Sequence, residues 1–364
     1  MPVNDTSAVS SALALAISVR VPVLLWGSPG TGKTAGIRAI AQAMDLPCET
    51  VLASIREPSD FSGLPVVHDG AVAFAPPVWA TRLVQAGRGV LFLDEISTAP
   101  PAVQAALLRV VLERVVGDLA LPDTVAVVAA ANPPEQAADG WDLSAPLANR
   151  FCHLDWQIDP RRVAEGLAGG FPVPRVPSLP DDMTGASSRA RAAVSAFLGM
   201  RPSLASAPPD DPSSAGRGWP SPRTWEMAGC LLAAADASQA GPDVTMVLVR
   251  GAVGEAAGIE FLAWLEEMDL PDPEAILADP DAFVLPDRGD RAYAALSAVA
   301  SAVAGDPTEA RWLAGWRVLG HAGERAPDVA ALAARVLARC RPTGVEPPPE
   351  VKLFLPLLRD AGLL

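Results

Sequence analysis

A short segment, LLWGSPGTGKTAG from Leu24 to Gly36, joins an apolar run to a group of glycines and a lysine. Gly27, Gly32, Lys33 and Thr34 fill the fixed positions of the pattern G-x-x-x-x-G-K-[ST], between a predicted buried strand and a predicted helix. Glycines let the backbone wrap around phosphate oxygens, and the positive end of the following helix favours the same anion. We therefore predict a phosphate-binding loop, in which Lys33 reaches the β- and γ-phosphates and the Thr34 hydroxyl binds Mg²⁺. The residues predicted to contact the nucleotide, ATP, are Gly27, Ser28, Pro29, Gly30, Thr31, Gly32, Lys33, Thr34 and Ala35.

Two adjacent carboxylates, Asp94 and Glu95, end the apolar run GVLFLD downstream of this loop. Carboxylates at the end of a buried strand cost free energy to desolvate unless a partner compensates their charge. A magnesium ion bound by Asp94 is such a partner, and Glu95 can then orient and polarise an attacking water molecule. A surface turn is the alternative, but the phosphate-binding loop earlier in the chain favours the metal and water sites.

Three further polar residues stand at places where they could contact phosphates. Asn132 ends the apolar run VAVVAAA, and its amide could bond a γ-phosphate or water, or simply form a turn before a proline. Arg150 directly precedes the last predicted strand, at a sheet edge from which it could reach a neighbouring subunit or form a surface ion pair. Arg223 follows the predicted N-cap Ser221, and a cation in a first helical turn suggests an anionic partner, either a ligand or Glu226.

Composition limits the classes of protein. The 364 residues, half of them hydrophobic, predict a folded chain with room for two or three domains. A formal net charge of −14 and the lack of a basic run disfavour a nucleic-acid partner. No apolar run reaches the roughly 18 residues of a membrane span, and the N-terminal segment lacks the basic start of a signal peptide, so neither is expected.

The cysteines predict a reduced environment. Cys48, Cys152, Cys230 and Cys340 are far apart and form no C-x-x-C pair, which indicates free thiols and a cytoplasmic location. Cys152 and His153 are neighbours in a predicted strand, where their side chains point to opposite faces. Ordinary packing is therefore favoured over a metal site at this pair.

The order of the predicted elements favours a parallel α/β sheet over residues 1 to about 157. The predicted strands span residues 21–26, 49–54, 89–94, 124–131 and 151–156, and predicted helices at Thr34–Met44, Pro77–Gln85 and Pro101–Val115 lie between them. Residues 55–77 are too many for an ordinary connection and contain a probable hairpin around HDG, which indicates an insertion. After Asp159 the pattern turns helical, with Pro- and Ser-rich linkers.

Taken together, these motifs resemble those of the AAA+ ATPases. GSPGTGKT is similar to Walker A, LFLDEI to Walker B, Asn132 to sensor 1, Arg150 in LANRF to the arginine finger and Arg223 in SPRTW to sensor 2. Within that family, REPSDFSGLP and ERVVGDLALPD resemble the helix-2 insert and pre-sensor-1 hairpin of the MoxR group and its dynein-like relatives. The resemblance covers residues 1 to about 157 well and extends loosely to about residue 285.

The resemblance implies a ring, commonly a hexamer, with ATP between subunits. Lys33, Thr34, Asp94, Glu95, Asn132 and Arg223 would then act within one subunit and Arg150 on its neighbour, with Glu95, Arg150, Asn132 and Lys33 as the catalytic set. Either Arg109 or Arg114 could be a second interface arginine. The inserted hairpin would face the pore or top of the ring, where Phe61, Leu64 and Trp79 could contact a protein client, although packing against the parent domain explains them equally well. A partner with a von Willebrand factor A domain is implied for a MoxR-type protein.

The predicted fold class is an α/β P-loop NTPase core of AAA+ type with a five-stranded parallel sheet, followed by an all-α lid and a C-terminal helical extension. The corresponding domain limits are 1–157, with the hairpin insert at about 55–77, then 158–285 and 286–364. The predicted function is ATP hydrolysis that remodels or assembles a protein client, in a chaperone-like manner. The alternatives are a nucleotide-gated assembly module with little turnover, an McrB-like nucleic-acid motor, and a chelatase or gas-vesicle type of ATPase subunit.

Overall fold

The computed structural model describes residues 6–68, 70–133, 136, 141, 143–211, 214–268 and 271–363. Its contacts divide the chain into two compact units. The first contains the described residues up to Leu179 together with Ser206–Ile259, and the second contains Pro180–Ala205 and the chain from Glu260 onward. Asp69 of the predicted hairpin turn and Pro134 after the Asn132 strand lie outside the described residues.

The described residues contain nine strands, all in the first unit, which form one large sheet and two hairpins. In chain order they are β1 (Val23–Trp26), β2 (Cys48–Leu52), β3 (Leu64–His68), β4 (Ala71–Ala75), β5 (Gly89–Asp94), β6 (Val115–Val116), β7 (Leu119–Ala120), β8 (Val125–Ala131) and β9 (Cys152–Asp155). The large sheet has the order β2-β5-β8-β1-β9 with every pair parallel, which confirms the predicted five-stranded core. Because β1, β5 and β8 are neighbours, their carboxyl ends bring Gly27, Glu95 and Asn132 to one edge of the sheet.

Helices cover this sheet and make up all of the second unit's regular structure among the described residues. In chain order they are α1 (Thr6–Ser18), α2 (Lys33–Ala43), α3 (Ser59–Ser62), α4 (Val78–Ala86), α5 (Pro101–Glu113), α6 (Ala145–Ala148), α7 (Pro160–Gly169), α8 (Thr184–Met200), α9 (Pro222–Ala237), α10 (Pro242–Val253), α11 (Glu255–Met268), α12 (Pro273–Ala278), α13 (Gly289–Gly305), α14 (Glu309–Gly323), α15 (Pro327–Arg339) and α16 (Leu355–Asp360). The described chain after residue 159 contains no strand, as the helical pattern predicted.

The core strands are apolar on both faces, as parallel strands covered by helices must be. Every residue of β1 and β8 is buried, and only the last residue of β5, Asp94, is partly exposed. The core also includes residues of α5 and the rings of Phe61 and Trp79, on either side of the hairpin β3–β4 in the chain, whose centroids lie 6.3 Å apart.

Two hairpins project from this core and are bonded to each other. Strands β3 and β4 form the predicted hairpin of the insertion, and β6 and β7 form a second one after α5. The Phe74 N–H donates to Asp118 Oδ2 at 2.6 Å, and the Asp118 N–H donates to the Phe74 carbonyl at 3.2 Å. The Gly117 N–H also donates to the Phe61 carbonyl at 3.2 Å, so the second hairpin is held at both the base and the strand of the first.

The hairpin β3–β4 exposes a set of large apolar side chains. Exposed fractions of 42% to 78% are found for Leu64, Val66, Val67, Val72 and Phe74. Phe61 and Trp79 behave differently, with only 1% and 6% of their surfaces exposed. The expectation that these two aromatic residues could contact a client is therefore wrong, because their rings belong to the core, whereas Leu64 remains a candidate.

The second unit has its own apolar core. Trp312 and Trp316 of α14 lie at its centre with ring centroids 6.0 Å apart, and the Trp312 indole donates to the Leu337 carbonyl at 2.8 Å. A two-point bond joins Arg311 to Glu274, with Nη–Oε distances of 2.6 and 2.9 Å, and this bond holds the pKa of the Glu274 carboxyl below its usual value. The unit thus packs as a helical body in its own right.

The compact units and the predicted domains follow different limits. Helices α9 and α10 pack against α1, and α10 also packs against β9, so residues 206–259 are part of the sheet-containing unit. The predicted domain limits at 157 and 285 remain a prediction. No described helix combines the length and the apolar character that crossing a membrane would require.

The burial of Phe61 gives a test of this arrangement. Phe61→Ala is expected to lower the free energy of unfolding of the first unit by about 3–5 kcal/mol, because it leaves a cavity in a packed core. Leu64→Ala, three residues away on the exposed strand, is the matched control and should change it by less than about 0.5 kcal/mol. Urea-dependent hydrogen exchange of peptides from β5 and β8 measures the first unit specifically. Equal effects of the two substitutions would contradict the assignment of Phe61 to the core.

Candidate nucleotide site

A cleft of about 380 Å³ opens at the carboxyl edge of the sheet. It brings together the predicted loop, the two carboxylates and the amide from three separate parts of the chain. Its lining consists of Pro29, Gly30, Thr31, Gly32, Lys33, Thr34, Ala35, Asp94, Glu95, Ala130, Ala131 and Asn132. Gly27 and Ser28 are not in this lining, but both bond the lysine of the loop through their carbonyl groups.

Lys33 is the central residue of the cleft. Its side chain is only 8% exposed, and its ammonium group donates to the Gly27 carbonyl at 2.5 Å, the Ser28 carbonyl at 3.0 Å and Asn132 Oδ1 at 2.9 Å. Burial lowers the pKa of Lys33, and the negative charges of Asp94 and Glu95 partly oppose that shift. A buried ammonium group with three acceptors is fixed in position, and it tethers the loop to the end of β8.

The loop backbone has the conformation that only glycine adopts readily. Gly30 and Gly32 have φ values of 77° and 81°, in the left-handed region. An added Cβ would meet nothing within 4 Å at either position, so the dihedral angle and not crowding requires glycine. The N–H groups of both residues have no acceptor among the described residues. Free N–H donors beside a helix N-terminus fit a phosphate group.

The second part of the cleft is a group of oxygen atoms. The Thr34 hydroxyl donates to Asp94 Oδ2 at 2.8 Å, and Asp94 Oδ1 accepts the Glu95 N–H at 3.0 Å. Hydroxyl and carboxylate oxygens at this separation fit Mg²⁺, which binds through few protein ligands and takes the rest from phosphates and water. Clusters of three or more His, Cys, Asp or Glu that could hold a metal ion are absent from the described part of the chain.

Glu95 is held in an unusual backbone conformation by its neighbours. Its φ of 55° is left-handed for a non-glycine residue, which is typical of functional positions. Ser54, which follows β2, donates its hydroxyl to Glu95 Oε2 at 2.6 Å. Sequence analysis missed Ser54. Its one sequence signal is its place at the end of the predicted strand 49–54.

Arg150 and Arg223 lie close together and away from the lining of the cleft. Burial, and the nearby positive charge of Arg223, lower the pKa of Arg150. The Arg150 guanidinium donates to the Pro146 carbonyl, and its buried Nε has no partner among the described residues. Neither arginine forms an ion pair with a carboxylate in the described structure, so Glu226 is not the partner of Arg223.

Polar contacts hold the two arginines side by side. Ser221 is the N-cap of α9 with Pro222 as the first helical residue, which confirms the prediction, and it forms a capping box with Thr224. The Ser221 hydroxyl also donates to Asn149 Oδ1 at 2.9 Å, and Asn149 Nδ2 donates to the Trp219 carbonyl at 3.2 Å. Asn149 therefore ties the turn that carries Arg150 to the helix start that carries Arg223.

The other candidate interface arginines have partners within the chain. Arg109 donates to Glu113 Oε2 at 2.9 Å on the exposed side of α5. Arg114 is half-buried and donates to the carbonyl groups of Val125 and Arg20, and burial lowers its pKa. Of the two, Arg109 is the freer to reach another molecule.

The pair Cys152–His153 supports the sheet and not a metal ion. His153 Nδ1 accepts the Trp26 indole N–H at 2.9 Å, and its Nε2 lies 2.9 Å from the Ala148 carbonyl, which places the proton on Nε2. Burial lowers the pKa of His153 to about 4 and raises that of the Cys152 thiol, whose Sγ–H points to the Leu248 carbonyl. The neutral imidazole thus fixes Trp26, the residue before the phosphate loop.

Comparison with known families agrees with this geometry. Residues 22–151 match the family model described as AAA domain, dynein-related subfamily. Residues 22–151 form an AAA domain. This confirms the AAA+ prediction for the sheet-containing part of the chain, while the assignment to the MoxR group stays a prediction.

Two curated regulatory proteins are similar to part of this chain. This chain is 30% identical over 144 residues to the probable regulatory protein WtsA of Pantoea stewartii, covering 36% of this chain and 43% of WtsA. It is 34% identical over 159 residues to the Nif-specific regulatory protein of Rhodobacter capsulatus, covering 40% and 27% of the two chains. The chain thus spans less than half the length of these relatives. Among solved structures, a candidate ATPase of Cytophaga hutchinsonii is 17% identical with a TM-score of 0.43, covering 70% of this chain and 87% of that one.

The buried His153 beside the AAA domain's phosphate loop predicts a pH dependence of stability. Its folded-state pKa of about 4 lies below the ordinary value of 6.5, so the unfolded chain binds this proton more readily. The free energy of unfolding should therefore fall by about 3 kcal/mol as the pH decreases from 6.5 to 4.

His153→Asn isolates that contribution, because the asparagine oxygen can replace Nδ1 as the acceptor for Trp26 and does not titrate. Urea unfolding of both proteins between pH 4 and 7 measures the difference, which should disappear at the acidic end. Parallel curves would show that His153 is protonated in the folded protein at the same pH as in the unfolded chain.

Proposed function

We propose that this chain is a Mg²⁺-dependent ATPase that hydrolyses ATP between the subunits of a ring. The observation that carries this proposal is the convergence of Lys33, the Thr34–Asp94 pair and Glu95 in one cleft, beside free loop N–H groups. The AAA domain match over residues 22–151 supports nucleotide binding and hydrolysis as the general activity.

Each residue of the cleft has a distinct role in the proposed reaction. Lys33 and the loop N–H groups bind the phosphates, and Thr34 and Asp94 would hold Mg²⁺, which neutralises phosphate charge when it is bound. Glu95 orients the attacking water, and Ser54 positions the Glu95 carboxylate through its 2.6 Å hydrogen bond. Asn132 bonds Lys33 at the end of β8, and its amide would contact the terminal phosphate or the attacking water.

Arg150 and Arg223 are proposed to act together on the nucleotide of a neighbouring subunit. They lie beside each other without carboxylate partners in the described part of the chain, and Arg223 is absent from the lining of its own subunit's cleft. Two neighbouring guanidinium groups that lack a carboxylate in the described structure can bind phosphate oxygens. An arginine that one subunit supplies to the nucleotide of another couples hydrolysis to assembly. This differs from the expectation that Arg223 acts within its own subunit.

The client is proposed to be a protein that contacts the hairpin β3–β4. This hairpin exposes five large apolar side chains and is bonded through Asp118 to the second hairpin, which follows α5. Contiguous exposed apolar surface is typical of protein-binding sites. A MoxR-type remodelling activity, a hexameric ring and a von Willebrand factor A-domain partner are the finer parts of this proposal.

The alternatives are a nucleotide-gated assembly module and a nucleic-acid motor. The presence of Glu95 and Arg150 favours turnover over simple gating. The relatives WtsA and the Nif-specific protein are regulators, but the net charge of −14 disfavours a phosphate-backbone partner for this chain. Hydrolysis with a protein client therefore remains the favoured function.

Two substitutions in the cleft test hydrolysis. Lys33→Ala should abolish ATP binding, because it removes the cation that meets the phosphates. Glu95→Gln should bind ATP as the wild type does but hydrolyse it at least about 100-fold more slowly, the usual contribution of a residue that activates water. Calorimetric titration and phosphate release measure the two steps separately. Glu113→Gln, on the exposed side of α5, is the control, and normal turnover by Glu95→Gln would remove Glu95 from its proposed role.

Mixed rings test the two arginines. Arg150→Ala and Arg223→Ala should each bind ATP but lose activity, by about 10³-fold or more for Arg150. Mixing either variant with Glu95→Gln should restore part of the activity, because an intact Glu95 then meets intact arginines from its neighbour. Recovery with Arg150→Ala but not with Arg223→Ala would mean that Arg223 acts in its own subunit. Arg88→Ala, at an exposed arginine paired with Asp45, is the matched control, and light scattering of the same samples follows ring formation.

A further inference from the structure

Trp156, the residue directly after β9, contacts the phosphate loop and the start of α2 at three separate points. Its indole Nε1 donates to the Thr31 carbonyl at the tip of the loop, at 3.0 Å. At the start of the loop, a Cβ added to Gly27 would lie 2.6 Å from the Trp156 carbonyl oxygen and 3.3 Å from its Cβ. In the first turn of α2, a Cβ added to Gly36 would lie 2.6 Å from Cη2 and 2.7 Å from Cζ2 of the Trp156 ring. One residue thus contacts the loop from its start to the helix that follows.

The Trp156 side chain is itself held from the sheet side. Its backbone N–H donates to the Trp26 carbonyl at 2.6 Å, so it continues the pairing of β9 with β1. The preceding residue, Asp155, accepts a bond from Arg217 at 2.8 Å, and the Arg217 guanidinium lies 4.4 Å from the ring centroid of Trp26. With 9% of its surface exposed, Trp156 is a buried wall against one side of the loop.

We propose that Trp156 is a positioning residue of the nucleotide site, which holds the phosphate loop in its phosphate-binding conformation before nucleotide arrives. A loop that is already ordered loses less conformational entropy on binding, so its affinity for phosphates is higher. The close approach of Trp156 then requires glycine at positions 27 and 36, in addition to any requirement for glycine that bound phosphate imposes. This inference rests on the proposed function, because it takes the loop to bind nucleotide.

The test is a double-substitution cycle on Gly36 and Trp156, with the dissociation constant of Mg·ADP as the readout. Gly36→Ala places a methyl group against the outer atoms of the indole and should weaken ADP binding about tenfold or more. Trp156→Phe removes the bond to Thr31 and should weaken it about three- to tenfold, the loss expected for one hydrogen bond. A phenyl ring does not reach the positions of Cη2 and Cζ2, so Gly36→Ala should have less than a twofold effect in the Trp156→Phe background.

Titration calorimetry with the full chain measures these constants, and circular dichroism with thermal unfolding checks that each variant folds without nucleotide. Gly169→Ala is the control for the glycine, because an added Cβ there meets nothing within 4 Å. Trp141→Phe is the control for the tryptophan, because that side chain is 53% exposed. Both controls should bind ADP as the wild type does.

The outcomes separate the inference from the function on which it rests. Wild-type binding that Lys33→Ala abolishes, together with non-additive effects at Gly36 and Trp156, supports both. If wild type binds ADP but Gly36→Ala is equally harmful in both backgrounds, or neither substitution changes affinity, the role of Trp156 is overturned and the function stands. If wild type and Lys33→Ala both fail to bind ADP, the proposed function fails, and the role of Trp156 with it.

Discussion

The candidate site depends on one buried ammonium group, that of Lys33. A cation removed from water is costly unless acceptors surround it, and this one has two loop carbonyls and the Asn132 amide. These bonds connect the end of β1 to the end of β8, and the Thr34–Asp94 bond connects α2 to the end of β5. The cleft is therefore held by polar contacts among three strand ends, and it exists only because those strands are neighbours in a parallel sheet.

Residues in and directly after β9, at the edge of the sheet, contact the phosphate loop and the residue before it. Strand β9 lies beside β1 and carries His153, Asp155 and, just beyond it, Trp156 toward the segment around the loop. His153 stays neutral because it is buried, and so it can accept the Trp26 N–H at physiological pH. The residues of the loop are thus fixed from one side by β9, while the other side remains open to the cleft.

The two arginines and the two hairpins point to activity beyond a single chain. Arg150 and Arg223 are held together by the bonds of Asn149, although like charges repel, and neither has a carboxylate partner among the described residues. The hairpins are joined by the reciprocal bonds of Phe74 and Asp118. In the proposed function, hydrolysis would move the exposed apolar surface of β3–β4, and ring assembly would bring a phosphate partner to the arginines.

The local pattern of the sequence determined the phosphate loop, the two carboxylates, Asn132 and the five core strands. These signals are local, because the loop needs glycines at fixed spacing and a strand covered on both faces must be apolar throughout. The cap at Ser221 was predictable for the same reason. Contacts between distant parts of the chain were not, because nothing in the spacing of Ser54 or Trp156 relates either residue to the loop.

Tertiary structure alone decided which aromatic residues are buried and which charged groups meet. Phe61 and Trp79 are large aromatic residues of the kind found in binding surfaces, yet the insertion packs against α5 and their rings lie inside the core. Arg150 and Arg223 are 73 positions apart in the sequence, and the bonds of Asn149 to Ser221 and Trp219 hold the segments that carry them together. Which side chains are buried and which charges pair depends on the residues that surround them in the fold. The order of the strands in the sheet decides those surroundings, and sequence periodicity does not encode that order.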